Sequence, residues 1–294
     1  MAQADDGLIL TPLDGSEMSE FAVPYAATVA EAIGGSVLVA RIVERMRWSA
    51  ASSGYMMSHK AYAELLDLDQ SDAETQTQRV VNQLNTRGVV ARNLVEIADM
   101  RGDLVNIQAR EHVALVVMAT HARSGIARAA LGSVADHLVR QGHCPTLVVR
   151  ARGRRAERPA LARALIPLDG SAMSELAFAT LAPLAGRLIS QVTLVRVIAP
   201  DDRSGASLDA QRALDVAKER IERECQSLHG HVETLLLWGP VAPQILEESE
   251  HHGLIIMTTH GQTGVSRWTF GSVADEIVRV ARTPVLLSRP QRQS

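Results

Sequence analysis

The feature that most constrains this chain is that it states one pattern twice. Leu13-Asp-Gly-Ser-Glu-Met-Ser-Glu20 returns as Leu168-Asp-Gly-Ser-Ala-Met-Ser-Glu175, seven of eight residues identical at an offset of 155. Further on, Gly132-Ser-Val-Ala-Asp136 returns as Gly271-Ser-Val-Ala-Asp275 at an offset of 139, and Cys144-Pro-Thr-Leu-Val-Val-Arg150 as Thr283-Pro-Val-Leu-Leu-Ser-Arg289 at the same offset. A duplication of this kind predicts two copies of one domain. The expected boundaries are a first domain over 1–150, a linker over 151–162 and a second domain over 163–294. The offset falls by 16 between the two anchors, so the first copy carries that many extra residues, placed between Glu44 and Lys60. That insert holds Trp48, Tyr55, Met56 and Met57. It reads either as a flap over a site or contact with the other half, or as a tolerated surface loop.

Within each copy, short apolar runs alternate with longer helix-periodic ones, the pattern of βαβ units on a parallel sheet. In the first copy strands are expected over Leu8–Leu13, Ser36–Val43, Arg92–Ile97, Leu115–Thr120 and Thr146–Arg150. Helices are expected over Ser16–Ile33, Ala61–Arg87, Asp103–Glu111 and Gly132–Gln141. The second copy repeats the strands near Arg163–Leu168, Gln191–Ile198, His231–Leu237, Leu254–Thr259 and Pro284–Ser288. Ser16 and Ser171 read as helix N-caps without a full capping box. Aromatic residues are only 3% of the chain, so the cores must be aliphatic and rich in alanine, which suits helices lying close on a sheet.

Several function classes are disfavoured. A net charge of -3 gives no bulk attraction to nucleic acid or to an anionic membrane. The arginine-rich linker, ARGRRAERPALAR, reads as a solvated connector rather than a nucleic-acid contact. Cys144 and Cys225 form no CxxC or Cys/His spacing and read as buried small hydrophobes in a reducing compartment, with no zinc site. No apolar run approaches the roughly 18 residues of a membrane span, and MAQADDG is acidic where a signal peptide is basic, so a cytoplasmic protein is expected.

In an open parallel sheet, ligands gather outside the carboxyl ends of the strands, where strand order reverses. Asp14 and Asp169 follow the first strand of each copy, and Gly132-Ser133 and Gly271-Ser272 each open a helix after the fourth strand. A helix start offers backbone N–H groups and a favourable dipole to an anion, and serine adds a hydroxyl. Gly-Ser is also simply a good helix start, and Asp-Gly-Ser at a strand end is also an Asx turn. His121 and His260 follow threonine in the same loop; with no second ligand at metal spacing, they read as loop histidines bonding backbone. No GxSxG occurs, and no GxxxxGK[ST], so rapid phosphoryl transfer would lack its positioning cation.

Taken together, LDGSxMSE, a strand ending Met-x-Thr-His, a spacer, Gly-Ser-Val-Ala-Asp and a closing Pro-x-Leu strand resemble the universal stress protein family in its tandem form. The resemblance implies an α/β fold, two open five-stranded parallel sheets of order 3-2-1-4-5 flanked by helices. It also implies pairing of two domains through their last strands, here internal, with a further homodimer as an option. The cofactor it implies is ATP or a related adenine nucleotide, with magnesium as an optional companion. ATP-binding members carry Gly, two residues, Gly, nine residues, Gly-Ser/Thr. The first copy offers Ala119, Ala122 and Gly132-Ser133; the second offers Thr258, Gly261 and Gly271-Ser272.

Carried over by position, the adenine and ribose end falls on Pro12, Asp14 and Ile42, and on Pro167, Asp169 and Val197, with Met118 and Met257 closing the base pocket. The phosphates fall on Gly261, Gly271, Ser272 and the Val273 amide, with Arg267 able to swing in, and on Gly132, Ser133 and Val134 in the first copy. If the loop turn demands positive φ, alanine at 122 is strained by about 1 kcal/mol or more, so the second copy ranks as the better site. The expected function is a nucleotide-dependent stress-response switch with at most slow ATP hydrolysis. The alternatives are a nucleotide-independent scaffold with degenerate loops, or an enzyme acting on a nucleotide, for which no catalytic residue stands out.

Overall fold

The computed structural model describes residues 7–44, 59–98, 100–121, 131–199, 206–259 and 271–288. In the first half these form β1 (Leu8–Leu13), α1 (Val23–Ile33), β2 (Ser36–Glu44), α2 (His59–Thr86), β3 (Ala91–Ala98), α3 (Met100–Arg110), β4 (Leu115–His121), α4 (Ser133–Gln141) and β5 (Thr146–Ala151). The second half gives β6 (Arg163–Pro167), α5 (Ala177–Leu181), β7 (Gln191–Ile198), α6 (Ala206–Glu224), β8 (Val232–Trp238), α7 (Val241–Ser249), β9 (Leu254–Thr258), α8 (Ser272–Val280) and β10 (Val285–Ser288). The expected strands all form, within two residues at either end. Most of the insert, with Trp48, Tyr55, Met56 and Met57, lies outside the described residues.

All ten strands join one sheet in the order β3-β2-β1-β4-β5-β10-β9-β6-β7-β8. Its first five strands follow 3-2-1-4-5, and the second half mirrors them outward from the centre. Pairing is parallel within each half. At the seam β5 and β10 run antiparallel, Leu147 facing Leu286 and Val148 facing Val285. The expected two parallel sheets are therefore one mixed sheet, because each last strand would otherwise leave a row of unpaired N–H and C=O groups at an apolar edge. The internal pairing of the halves is this seam.

The sheet separates two core layers, as its period-2 alternation requires. Ile9, Val37, Val39, Val117, Leu147, Ile166, Ile256 and Leu286 lie beneath α1, α2, α5 and α6. Leu10, Leu38, Ile42, Met118, Val148, Leu165, Met257 and Leu287 lie beneath α3, α4, α7 and α8. Both layers run unbroken through both halves.

Two local features depart from the sequence reading. The helix expected from Ser16 begins later: Ser19–Ala22 is a 3-10 turn, and α1 starts at Val23 with Pro24 in its first turn, where a missing N–H costs nothing. The serines act earlier, in a turn described below. The linker is solvated but not loose, since Arg155 reaches back to Glu20 at 3.1 Å and Arg87 Nη1 donates to the Glu157 carbonyl at 2.8 Å. Both cysteines are free and only 9% exposed, and burial pushes the Cys144 thiol up to about 12. Among the described residues no helix is long and apolar enough to cross a membrane, and no cluster of three metal-ligating side chains occurs.

The seam makes a direct prediction. Leu147 and Leu286 are 2% and 1% exposed and face each other across β5 and β10. Leu286→Ala is expected to lower stability by about 2 to 5 kcal/mol, as for buried leucine truncations generally, read from the urea midpoint at constant m-value.

Candidate functional site

In each half the order of strands reverses between the first strand and the fourth, β1 and β4 or β6 and β9, and outside the carboxyl ends at such a reversal is where open α/β sheets place a ligand crevice. The first wall of that crevice is a turn built identically in both copies. Asp14 Oδ1 accepts from the Ser16 N–H at 2.9 Å and from its hydroxyl at 2.6 Å. Ser16 Oγ then accepts from the Ser19 N–H at 3.2 Å, and the Ser19 hydroxyl returns to the Ser16 carbonyl at 2.8 Å. Asp169, Ser171 and Ser174 repeat these bonds at the same distances. The Asx-turn reading of Asp169 is thus correct, and Asp14 forms the same turn, each through one carboxylate oxygen. Gly15 and Gly170, at φ +90° and +83°, make the reversal possible.

The second wall is apolar. Ile42, Met118 and Val134 belong to the core layer under α3 and α4, and Val197, Met257 and Val273 to its continuation under α7 and α8. Pro12 follows Leu8 and Leu10 on that same side of β1 and is half-buried, as Pro167 is on β6. The structure therefore places the side chains expected around a base and a ribose on one face of the sheet in each half. Ala119 and Thr258 differ: each alternates with its methionine and points to the opposite layer, Ala119 onto the core beneath α1. A Cβ at these strand ends is accommodated away from the crevice, so these residues face it with backbone only.

The third wall is a helix start. Gly132 and Gly271 precede α4 and α8, neither helix has a side-chain cap among the described residues, and Ser133 and Ser272 are exposed there. The amides at Ser133 and Val134, and at Ser272 and Val273, lie in the first turn, whose N–H groups have no partner within the helix. The two glycines are not equivalent. Gly132 sits at φ +27° whereas Gly271 sits at φ -60°, so only the first conformation disfavours a side chain. The loops between strand and helix, with Ala122, Gly261, His260 and Arg267, lie outside the described residues, as does the His121 side chain.

Sequence reasoning missed two groups. Thr120, one residue past Ala119 and on the methionine side of β4, is 5% exposed with its hydroxyl unpartnered among the described residues. Arg41 and Arg196 lie behind the glycine turns, their guanidinium nitrogens 2.8 and 2.7 Å from where a Cβ on Gly15 or Gly170 would stand. The signal was present, since an arginine recurs at offset 155 inside two largely apolar strands.

The profile of the universal stress protein family matches residues 8–150 and 161–289, both halves of the chain. The chain belongs to the universal stress protein family. One universal stress protein of Mycobacterium tuberculosis is 29% identical over 60% of this chain and 61% of its own length, so that match spans about three fifths of the relative. Another from the same organism is 25% identical over 96% of this chain and 94% of its own. A solved universal stress protein from Archaeoglobus fulgidus superposes at a TM-score of 0.71, covering 99% of this chain and 98% of its own at 18% identity, which attests the tandem fold.

The turn in this universal stress protein has a structural role of its own that substitution can measure. Asp169→Ala removes two hydrogen bonds to one carboxylate oxygen and is expected to cost about 1 to 3 kcal/mol of stability. Asp169→Asn keeps an acceptor at Oδ1 and is expected to retain most of it, both read by urea unfolding.

Proposed function

We propose that the protein is a cytoplasmic adenine-nucleotide switch that holds ATP in its second half, with slow or no hydrolysis. The observation that carries this reading is the convergence, twice, of an aspartate turn, an apolar wall and an uncapped helix start at a strand-order reversal. An apolar wall suits a base, a carboxylate beside it suits ribose hydroxyls, and first-turn amides suit phosphate oxygens. The residues proposed to hold the nucleotide are Pro167, Asp169, Val197, Met257, Gly261, Gly271, Ser272 and the Val273 amide, with Thr258 contributing backbone. The preference for the second half rests on Gly261 standing where the first half has Ala122. No lysine of a Walker loop occurs, which supports slow chemistry at most.

The second reading is a nucleotide-independent scaffold. It is favoured by the aspartate turns being fully formed by their own serines. The two readings separate in one titration. ATP added to the full chain is expected to give saturable heat at one site, lost or weakened about fivefold or more in Gly261→Ala, as 1 kcal/mol of loop strain implies. Ala122→Gly is expected to add affinity in the first half. Absence of heat at millimolar ATP, with a melting temperature that ATP leaves unchanged, would establish the scaffold instead.

A further inference from the structure

Behind the Asp169 turn, on the side of the sheet opposite Met257, the second half contains a cavity of about 240 Å³. Gly170, Arg196 and Leu214 line it, together with Leu168, Glu175 and Arg212. The guanidinium of Arg196 rests against the Gly170 backbone and has no hydrogen-bond partner among the described residues. That leaves five N–H donors on a half-buried group with a void before it.

The first half shows what normally answers such a group. There Arg41 Nη1 donates to Gln76 Oε1 at 2.7 Å, and Gln76 Nε2 donates on to Glu20 at 3.2 Å. Arg79 pairs with Glu20 as Arg220 pairs with Glu175, which aligns α2 with α6. Three residues before each of those arginines stand Gln76 and Ala217. Ala217 is too short to reach a guanidinium and carries no acceptor. The duplicated arginine has therefore kept its place in the second half while losing its internal acceptor, and a cavity lies beside it.

The other charges at the cavity are already matched. Glu175 is held by Arg220 at 2.7 Å, Arg220 also donates to Glu224 at 2.9 Å, and Arg212 stands 3.5 Å from Asp209. The unmatched charge is positive. The geometry points to a binding site for a small oxyanion, a carboxylate or phosphate on a short apolar body, gripped by the fork of Arg196 with Leu168 and Leu214 around its apolar part. A planar guanidinium recognises both oxyanions through paired N–H donors. The occupant would sit on the reverse of the turn that carries Asp169. The inference does not rest on nucleotide binding, since Arg196 and Leu214 lie on the face of the sheet opposite Met257.

The test is a titration of the full-length, isotope-labelled protein with inorganic phosphate and, separately, with butyrate, following the Arg196 Nε–H and Gly170 amide resonances. A saturable shift of both, with half-effect at about 1 to 10 mM, is expected for at least one probe. Phosphate alone acting assigns the phosphate class, and butyrate alone assigns the carboxylate class. Ala217→Gln, which restores the side chain of the first half, is expected to weaken the response at least tenfold. Arg196→Met, at a half-exposed position, is expected to abolish the Gly170 shift and serves alone if Ala217→Gln fails to fold. No saturable shift with either probe, or an undiminished Gly170 response in Arg196→Met, would overturn the inference.

Discussion

The rest of the structure depends on the antiparallel pairing of β5 with β10. Each half is a parallel sheet that ends in a strand buried on both faces, and an exposed strand of that kind is an invitation to aggregate. Duplication within one chain solves this by letting each last strand complete the other. Because the seam reverses direction while pairing within each half is parallel, the carboxyl ends of β1 and β4 emerge at one edge of the sheet and those of β6 and β9 at the opposite edge. The two crevices therefore do not face each other. What they share is the continuous apolar layer under α3, α4, α7 and α8, in which Met118 and Met257 both lie.

Much of the architecture was legible in the sequence because the sequence is redundant. Strand runs such as Leu115–Thr120 and Gln191–Ile198 are apolar, β-branched and bounded by turn residues, and they form where expected. The start of α1 was not legible in the same way. Ser16 looks like a helix cap, yet its hydroxyl is engaged by Asp14 and by the Ser19 amide in a separate turn, and the helix waits for Pro24. Single residues in a turn compete for the same few donors, and periodicity says nothing about which contact wins.

The candidate site was legible in part for a related reason. Strand alternation places Ile42 with Met118, and Val197 with Met257, on one side of the sheet, so that half of the site follows from period 2 alone. The same alternation turns Ala119 and Thr258 away, which a spacing-based reading of the glycine pattern does not reveal. Arg41 and Arg196 are not legible as a pair of interest because an isolated arginine in a strand looks like an edge residue. Its partner, Gln76, lies 35 residues away on α2, and its absence in the second half shows only when the two helices are aligned through their ion pairs.

Duplicated domains thus read as an internal experiment, in which each copy is the control for the other. Positions that keep both residue and contacts, as Asp14 and Asp169 do, are structural whatever else they bind. Positions that keep the residue and change its surroundings, as Arg41 and Arg196 do, are where the halves have diverged in structure. The central claim is that the nucleotide is seated first in the second half. A crystal structure grown with ATP tests it most directly: density beside Asp169, Met257 and the start of α8 is the predicted result, and density confined to the crevice of Asp14 and Met118, or to neither, would contradict it.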